Sequence, residues 1–431
     1  MKIAQMAIGL LIPMLGVTTA FCDENRYTLQ DAYTAALATN ESIKIAEEGV
    51  VQADSRVDQA RTYLFPRLTA NAGNTWYNKT LPPGGGDFLF QPLEQFQAGL
   101  VLTQPLYTGG RTFAAFRTAR TFFEMSRKQL TTAQQDMLLN VAAAYFEVLK
   151  ARKLVAVSKD SLSRMEEYKN VTERVASTRR SKANSSDLLR AKTLVSQAAI
   201  SVVTAQDRLR IARRMLSLLT RLPEDAVVVE PPAQTQPAEN LERLKALSLE
   251  NRDDFAGARL NRKAAEENIT IVRGSHYPQL SAEGGVRYQD SRPTMIMDET
   301  VYYGGIRLQV PIFEGGLMKA EVSEARSKLR QAEYATELLR RNIDAEVYEM
   351  YVNLETVTSV LESTRLRYAD AKENFDAVTY LFNEGLASSL MVIDAQQALY
   401  FTEREFVAAT YDKQVAILRL QRSIGLMGKE F

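Results

Sequence analysis

The chain holds one histidine, His276, and one cysteine, Cys22. A lone histidine builds no His-based metal cluster within one subunit, and a lone cysteine closes no intramolecular disulfide. No Cys–His pair, nucleophile elbow, phosphate loop or zinc motif is present. The triple glycine at 84–86 lies between two alternating runs and not ahead of a helix, so it cradles no phosphate. His276 stands just before Pro278 and reads as a turn or interfacial residue. Two carboxylates stand out, Asp187 and Asp394, each expected in the first turn of a helix, where capping and the helix dipole favour acids. The remaining carboxylates sit in helical patterns and read as solvated faces. These residues call for no cofactor and no catalysis. Basic and acidic residues nearly balance, 53 against 52, which leaves no nucleic-acid footprint.

The N-terminus has the form of an export signal. Lys2 supplies a positive start, residues 3–17 are mostly apolar, and Thr18, Thr19 and Ala20 are small. Cleavage after Ala20 or after Cys22 fits. Phe21 is not the small residue that precedes a lipidated cysteine. Removal of residues 1–20 takes away one base, Lys2, and no acid, leaving 52 of each. No later stretch offers about twenty consecutive apolar residues, so a membrane-embedded mature chain has to enter as a β-barrel.

The elements that position these residues occur twice. An offset of 212 pairs Leu29 with Leu241, Ala46 with Ala258, Pro66 with Pro278 and Leu68 with Leu280. Further on, QPLYTGGR at Gln104 aligns with VPIFEGGL at Val310 at an offset of 206. This reads as duplication of a unit of roughly 200 residues. The expected organisation is a signal peptide at 1–20 and a first repeat at 21–221, with a β-hairpin at 67–107 and a helical hairpin at 112–221. A proline-rich linker follows at 222–240, with a short strand expected at Val227 to Val229. The second repeat, 241–431, has a β-hairpin at 279–313 and a helical hairpin at 317–426.

Each repeat opens with a helix that ends before Pro66 or Pro278, because proline excludes the preceding residue from helical geometry. The period then becomes two. Leu280, Ala282, Gly284, Val286 and Tyr288 alternate with polar neighbours, and Ile306, Leu308, Val310 and Ile312 do so on the return. Leu68, Ala70 and Ala72, then Phe96, Ala98, Leu100 and Leu102, form the first-half equivalents. One apolar and one polar face suit a wall between lipid and water. Trp76, Tyr77, Tyr288, Tyr302 and Tyr303 are placed for an interfacial girdle. Four strands cannot close a barrel, so the strands must be shared among subunits. After Gly110 and Gly316 the pattern turns helical without a break, giving hairpins on the order of 100 Å long.

The signal, the two repeats and the paired P-Φ-x-x-G-G turns, in that order, resemble the TolC-like outer-membrane efflux family from about Tyr27 to Leu426. The resemblance implies a mainly α fold with a membrane β-barrel. Three chains would close twelve strands in the outer membrane, above an α-helical periplasmic tunnel. It implies a passive exit duct of a tripartite efflux or type I secretion system, whose tips dock to a periplasmic adaptor linked to an inner-membrane pump. The second tip, with Gly385, Leu386, Ala387 and Ser388, matches the family's adaptor-contacting turn. The first, with Arg179, Arg180, Ser181 and Lys182, departs from it, since Ser181 stands where glycine is usual. Asp394 matches an inward acidic ring, and Asp187 a position that ties hairpins shut. Met391 and Ala387 replace another ring acid and a basic lock residue, which puts identical gating in doubt. Cargo stays open; Met295 and Met297 are too few to argue for soft-metal transport. A soluble periplasmic coiled-coil scaffold would also explain the helices, but not two amphipathic β-hairpins.

Overall fold

The computed structural model describes residues 26–79, 92–178, 182–234, 239–292, 294 and 299–428. The leader, Cys22, the triple glycine, Met295 and Met297 lie outside these residues. The chain runs β1 (Arg26–Tyr27), α1 (Leu29–Thr39), α2 (Glu41–Thr62), β2 (Arg67–Trp76), β3 (Glu94–Tyr107), α3 (Arg111–Thr178) and α4 (Lys182–Thr220). It then repeats that order with β4 (Val227–Val228), α5 (Leu241–Asn251), α6 (Asp253–Ser275), β5 (Gln279–Arg292), β6 (Thr300–Gln309), α7 (Leu317–Asn383) and α8 (Ser389–Ser423).

The single opening helix expected in each half is in fact two helices. Asn40 breaks the first: its backbone is extended, and its side chain accepts from the Ser42 N–H at 3.0 Å. Asparagine offers the backbone a partner outside the helical ladder, which favours a cap over a continuous helix. Its amide also donates to Leu219 O at 3.1 Å, fastening the break to the end of α4. Arg252 occupies the matching place in the second half and donates to Ser423 O at 3.1 Å, at the end of α8. Different side chains thus serve the same junction.

Arg252 is 6% exposed and binds Asp254 through two nitrogens, at 3.1 and 2.7 Å, and Glu346 at 2.6 Å. The Asp254 carboxyl is held below its usual range: burial opposes this, but Arg252 outweighs it. Gly425 closes α8 beside this site with φ +73, and a Cβ there would lie 2.8 Å from Asn251 O.

The two short strands β1 and β4 pair in parallel, a contact too brief to be visible in the sequence. Tyr145, fully buried on α3, holds them: its hydroxyl faces Tyr27 O at 2.9 Å and Val229 O at 2.5 Å. Burial pushes that phenol up to about 12. Around it, Leu149, Val141, Ile43 and Leu216 form the core that joins α1, α2, α3 and α4.

The four long strands form one antiparallel sheet in the order β2-β3-β5-β6. Registers align Ala70, Leu100, Val286 and Tyr302 in one row, and Leu280 with Leu308. The opposite face carries Arg67, Thr103, Glu283 and Arg307, the last two joined by two bonds at 3.0 and 2.8 Å. Tyr303 belongs to this polar face, because it is an odd-numbered neighbour of Arg307 on a strand of period two. It therefore leaves the proposed girdle. β6 stops at Gln309, so Val310 and Ile312 lie beyond the strand. Pro311 has no N–H for a ladder.

Both outer strands, β2 and β6, are exposed at every residue. The helices repeat this openness. Next to the sheet the packing order is α2-α3-α6-α7, and in the distal hairpins it is α4-α3-α8-α7. Gly109, with φ +62, packs so tightly on the end of α6 that a Cβ would lie 2.4 Å from Gly274 O. Its counterpart Gly315, with φ +61, meets nothing within 4 Å.

Where β5 leaves α6, His276 lies between two carboxylates: Nδ1 is 2.8 Å from Glu314 and Nε2 is 3.0 Å from Glu321. Only the doubly protonated ring donates to both. The hydrogen bond with Glu314, followed by that with Glu321, raises the His276 pKa.

Two measurements test these junctions. Arg252→Met should lose about 1–3 kcal/mol by removing the buried guanidinium that ties Asp254, Glu346 and Ser423 O together, read as a lowered thermal midpoint in detergent. Because the His276 pKa is raised on folding, its contribution is full below the unfolded value and fades as pH rises through the folded one. The midpoint of wild type over His276→Gln should therefore shrink between pH 6 and pH 9; a constant difference would contradict the charged clasp.

Candidate functional site

The second tip forms because Gly385 takes φ +78, a left-handed geometry that glycine adopts without Cβ strain. The Leu386 N–H then folds back to Leu381 O at 2.8 Å and closes the end of α7. Ser388 caps α8, its hydroxyl accepting from Met391 N at 3.4 Å. This compact turn leaves Leu386 76% exposed, with Leu390 and Met391 exposed beside it. An apolar side chain at the outermost point of a turn has no packing role within the protomer. Beneath it Met165, Tyr168, Ala191, Val378, Val392 and Ile393 pack the two hairpins together, with the Tyr168 and Phe382 rings 5.6 Å apart.

Of the first tip, Arg179, Arg180 and Ser181 lie outside the described residues, and Lys182 begins α4. Asp187 and Asp394 are each the sixth residue of their helix, not in the first turn as expected. The helix dipole acts mainly within the first turn, so N-terminal stabilisation explains neither. Asp187 is half-buried and Asp394 exposed. Neither has an ion-pair partner among the described residues. No hydrogen bond or ion pair among the described residues joins the two.

A polar seam between α3 and α8 was not visible in the sequence. Arg422 donates to Asp136 at 2.7 Å, and Lys150 reaches Asp412 at 3.3 Å. Nearer the tips, the Ser158 and Tyr400 hydroxyls are 3.4 Å apart. Buried Gln396, 3% exposed, donates to Ser161 at 3.0 Å and accepts from Arg164 at 3.0 Å. Arg164 also reaches Glu403 at 3.4 Å and lies over the Phe375 ring. Burial raises the Glu403 pKa, with Arg164 opposing. The only sequence signal was a scatter of polar residues on otherwise apolar faces. Such ties fix the hairpins relative to each other, since a buried polar group that loses its partner costs its full desolvation.

Among the described residues no group of His, Cys, Asp and Glu could hold a metal ion, and no helix is long and apolar enough to cross a membrane. The arrangement offers a surface with one apolar and one polar face at one end and an exposed apolar turn at the other.

Comparisons with known proteins agree with this architecture. The chain is 24% identical to outer membrane protein TolC of Vibrio cholerae, covering 87% of this chain and 85% of that protein. It is 23% identical to the alkaline protease secretion protein AprF of Pseudomonas aeruginosa, covering 93% and 84%. In structure it resembles the CmeC outer membrane channel of Campylobacter jejuni, with a TM-score of 0.80 at 16% identity over 92% of this chain and 85% of that one. The outer membrane efflux protein model matches residues 32–220 and again 244–426, so the chain belongs to the outer membrane efflux protein family.

Proposed function

We propose that three copies of this chain form a passive exit channel: a twelve-stranded barrel in the outer membrane over a periplasmic helical tunnel. The observation that carries this is the open order at every level of the protomer. The sheet ends in β2 and β6, and the helical layers end in α2 and α7 and in α4 and α7. Because neighbouring strands alternate in direction, β6 of one copy can meet β2 of the next and keep the sheet antiparallel. An open edge does not survive in lipid, so closure through copies is the physical solution. The repeated element order, read as a duplication, supplies the template: next to the sheet α3 lies between α2 and α6, whereas α7 there has α6 on one side and no counterpart of α2 on the other. Exposed Tyr334 and Leu338 on α7 and Ile45 on α2 suit the missing contact. A soluble scaffold would leave an apolar sheet face and two strand edges in water.

On this reading the polar sheet face lines the lumen, and the tips touch a periplasmic adaptor coupled to an inner-membrane pump. Gly385, Leu386, Ala387 and Ser388 form the second docking turn; Arg179, Arg180, Ser181 and Lys182 form the first. Asp394 and Asp187 lie at the narrow end, where three copies of a carboxylate would favour cations. Relatives named for alkaline protease secretion and for cation efflux leave the cargo to the partners.

Two tests follow. Gly315→Ala costs only its φ strain if α7 has no neighbour. In a closed ring it should impair assembly about as much as Gly109→Ala, measured as the trimer fraction by native mass spectrometry; a harmless Gly315→Ala alongside a damaging Gly109→Ala would sink closure at this face. In planar bilayers Asp394→Asn should reduce cation selectivity severalfold, while Arg164→Ala should raise conductance by freeing the hairpins. Unchanged selectivity would remove Asp394 from the constriction.

A further inference from the structure

Where α7 leaves the sheet it has three distinct faces. One packs on α6 through Ala325 and Ala332, and through Thr336, whose hydroxyl contacts Ala258 O at 3.4 Å. A second carries exposed Tyr334 and Leu338. The third carries Met318, Val322, Arg326 and Arg330, a row at intervals of four residues that winds slowly around the helix and meets the Tyr334 face one turn after Arg330. With Lys319, and with Arg273 and Tyr277 from the end of α6, this face lines a groove of about 560 Å³.

The groove is apolar along Tyr277, Met318 and Val322, and cationic at Arg273, Lys319, Arg326 and Arg330. Among the described residues none of these four cations has an ion-pair partner. Their neighbours differ: Lys328 pairs with Glu324, Arg340 and Arg341 with Glu337, and His276, which also lines the groove, with Glu314 and Glu321. Four unneutralised charges around one depression make a positive field that an anionic group would satisfy. The groove also begins where the apolar sheet face ends. Leu280 and Leu308 form the last apolar row, Tyr277 lies just ahead of β5, and Ile312 and Phe313 beyond β6 are 94% and 89% exposed.

We propose that this groove binds the phosphate of an anionic phospholipid in the periplasmic leaflet, whose acyl chains lie along the apolar sheet face. The inference rests on the outer-membrane placement proposed above. A lipid is favoured over free phosphate because the groove continues an apolar surface. It is favoured over an acidic face of the next copy because Lys319 and Arg326 share the groove with Arg273 and Tyr277 at the end of α6, and the row reaches the Tyr334–Leu338 face only at Arg330. The site would anchor the barrel at a fixed depth, since cations just outside an apolar band hold headgroups at the interface.

The test uses the full-length protein in detergent, titrated by native mass spectrometry with phosphatidylglycerol, phosphatidylethanolamine and glycerol phosphate. Wild type should take up phosphatidylglycerol with a limit of one tight lipid per chain, in preference to phosphatidylethanolamine, and bind glycerol phosphate far more weakly. The combined Lys319→Gln, Arg326→Gln and Arg330→Gln variant should bind phosphatidylglycerol on the order of a hundredfold more weakly with its oligomeric mass unchanged. Arg273→Gln, on a different helix, should weaken it in the same direction and provides a second reading should the triple variant misfold. Equal lipid binding by wild type and both variants would overturn the proposal. So would glycerol phosphate binding as tightly as the lipid, or loss of the trimer on charge removal, which would make the stripe an interface between copies. The wild-type mass reports the trimer separately, so failure of the channel reading is distinguishable from failure of the lipid site.

Discussion

The four-stranded sheet leaves both of its outer edges unpaired within the protomer. β2 and β6 each present a row of backbone N–H and C=O groups with no partner in the protomer. In water such edges are tolerated with difficulty, and in hydrocarbon each unsatisfied group costs several kcal/mol. The sheet is also too narrow to bury one face on itself. Among the described residues no helix packs broadly on its apolar side, from Leu68 through Leu100 and Val286 to Ile306. The stability of the chain therefore comes from elsewhere, from the buried core around Tyr145 and Leu149 and from Leu244, Ile343 and Leu354.

That division shapes the molecule. The middle is fastened by groups that tolerate little change: Tyr145 across the two short strands, Arg252 among carboxylates, and Gly425 against the backbone of Asn251. The distal hairpins are fastened in turn. Their seam mixes apolar packing with polar ties at Arg164, Gln396 and Ser161. Both regions are thus locked by buried polar groups set into apolar packing.

The two halves share a plan but not their residues. Asn40 and Arg252 break helices at equivalent points and fasten to equivalent helix ends, one by a neutral amide and one by a buried charge. Gly109 is enclosed and Gly315 open. Such differences show that equal positions in a repeat face unequal surroundings, because one half has its neighbour within the chain and the other does not.

Much of the architecture was legible in the sequence because periodicity is a local property. The switch from helical spacing to alternation at Pro66 and Pro278, and back after Gly110 and Gly316, marks the strands and the long helices. Gly385 marks a turn because few other residues adopt its geometry without strain. Other features needed the fold. The break at Asn40 was masked by a continuous apolar stripe, and the pairing of Arg26–Tyr27 with Val227–Val228 joins segments about 200 residues apart, with no local pattern to announce it. The α3–α8 seam and the cationic groove exist only once distant helices meet. Composition and spacing determined which faces are apolar and where the chain turns; tertiary structure decided which faces meet, because register and burial depend on partners the local sequence does not contain.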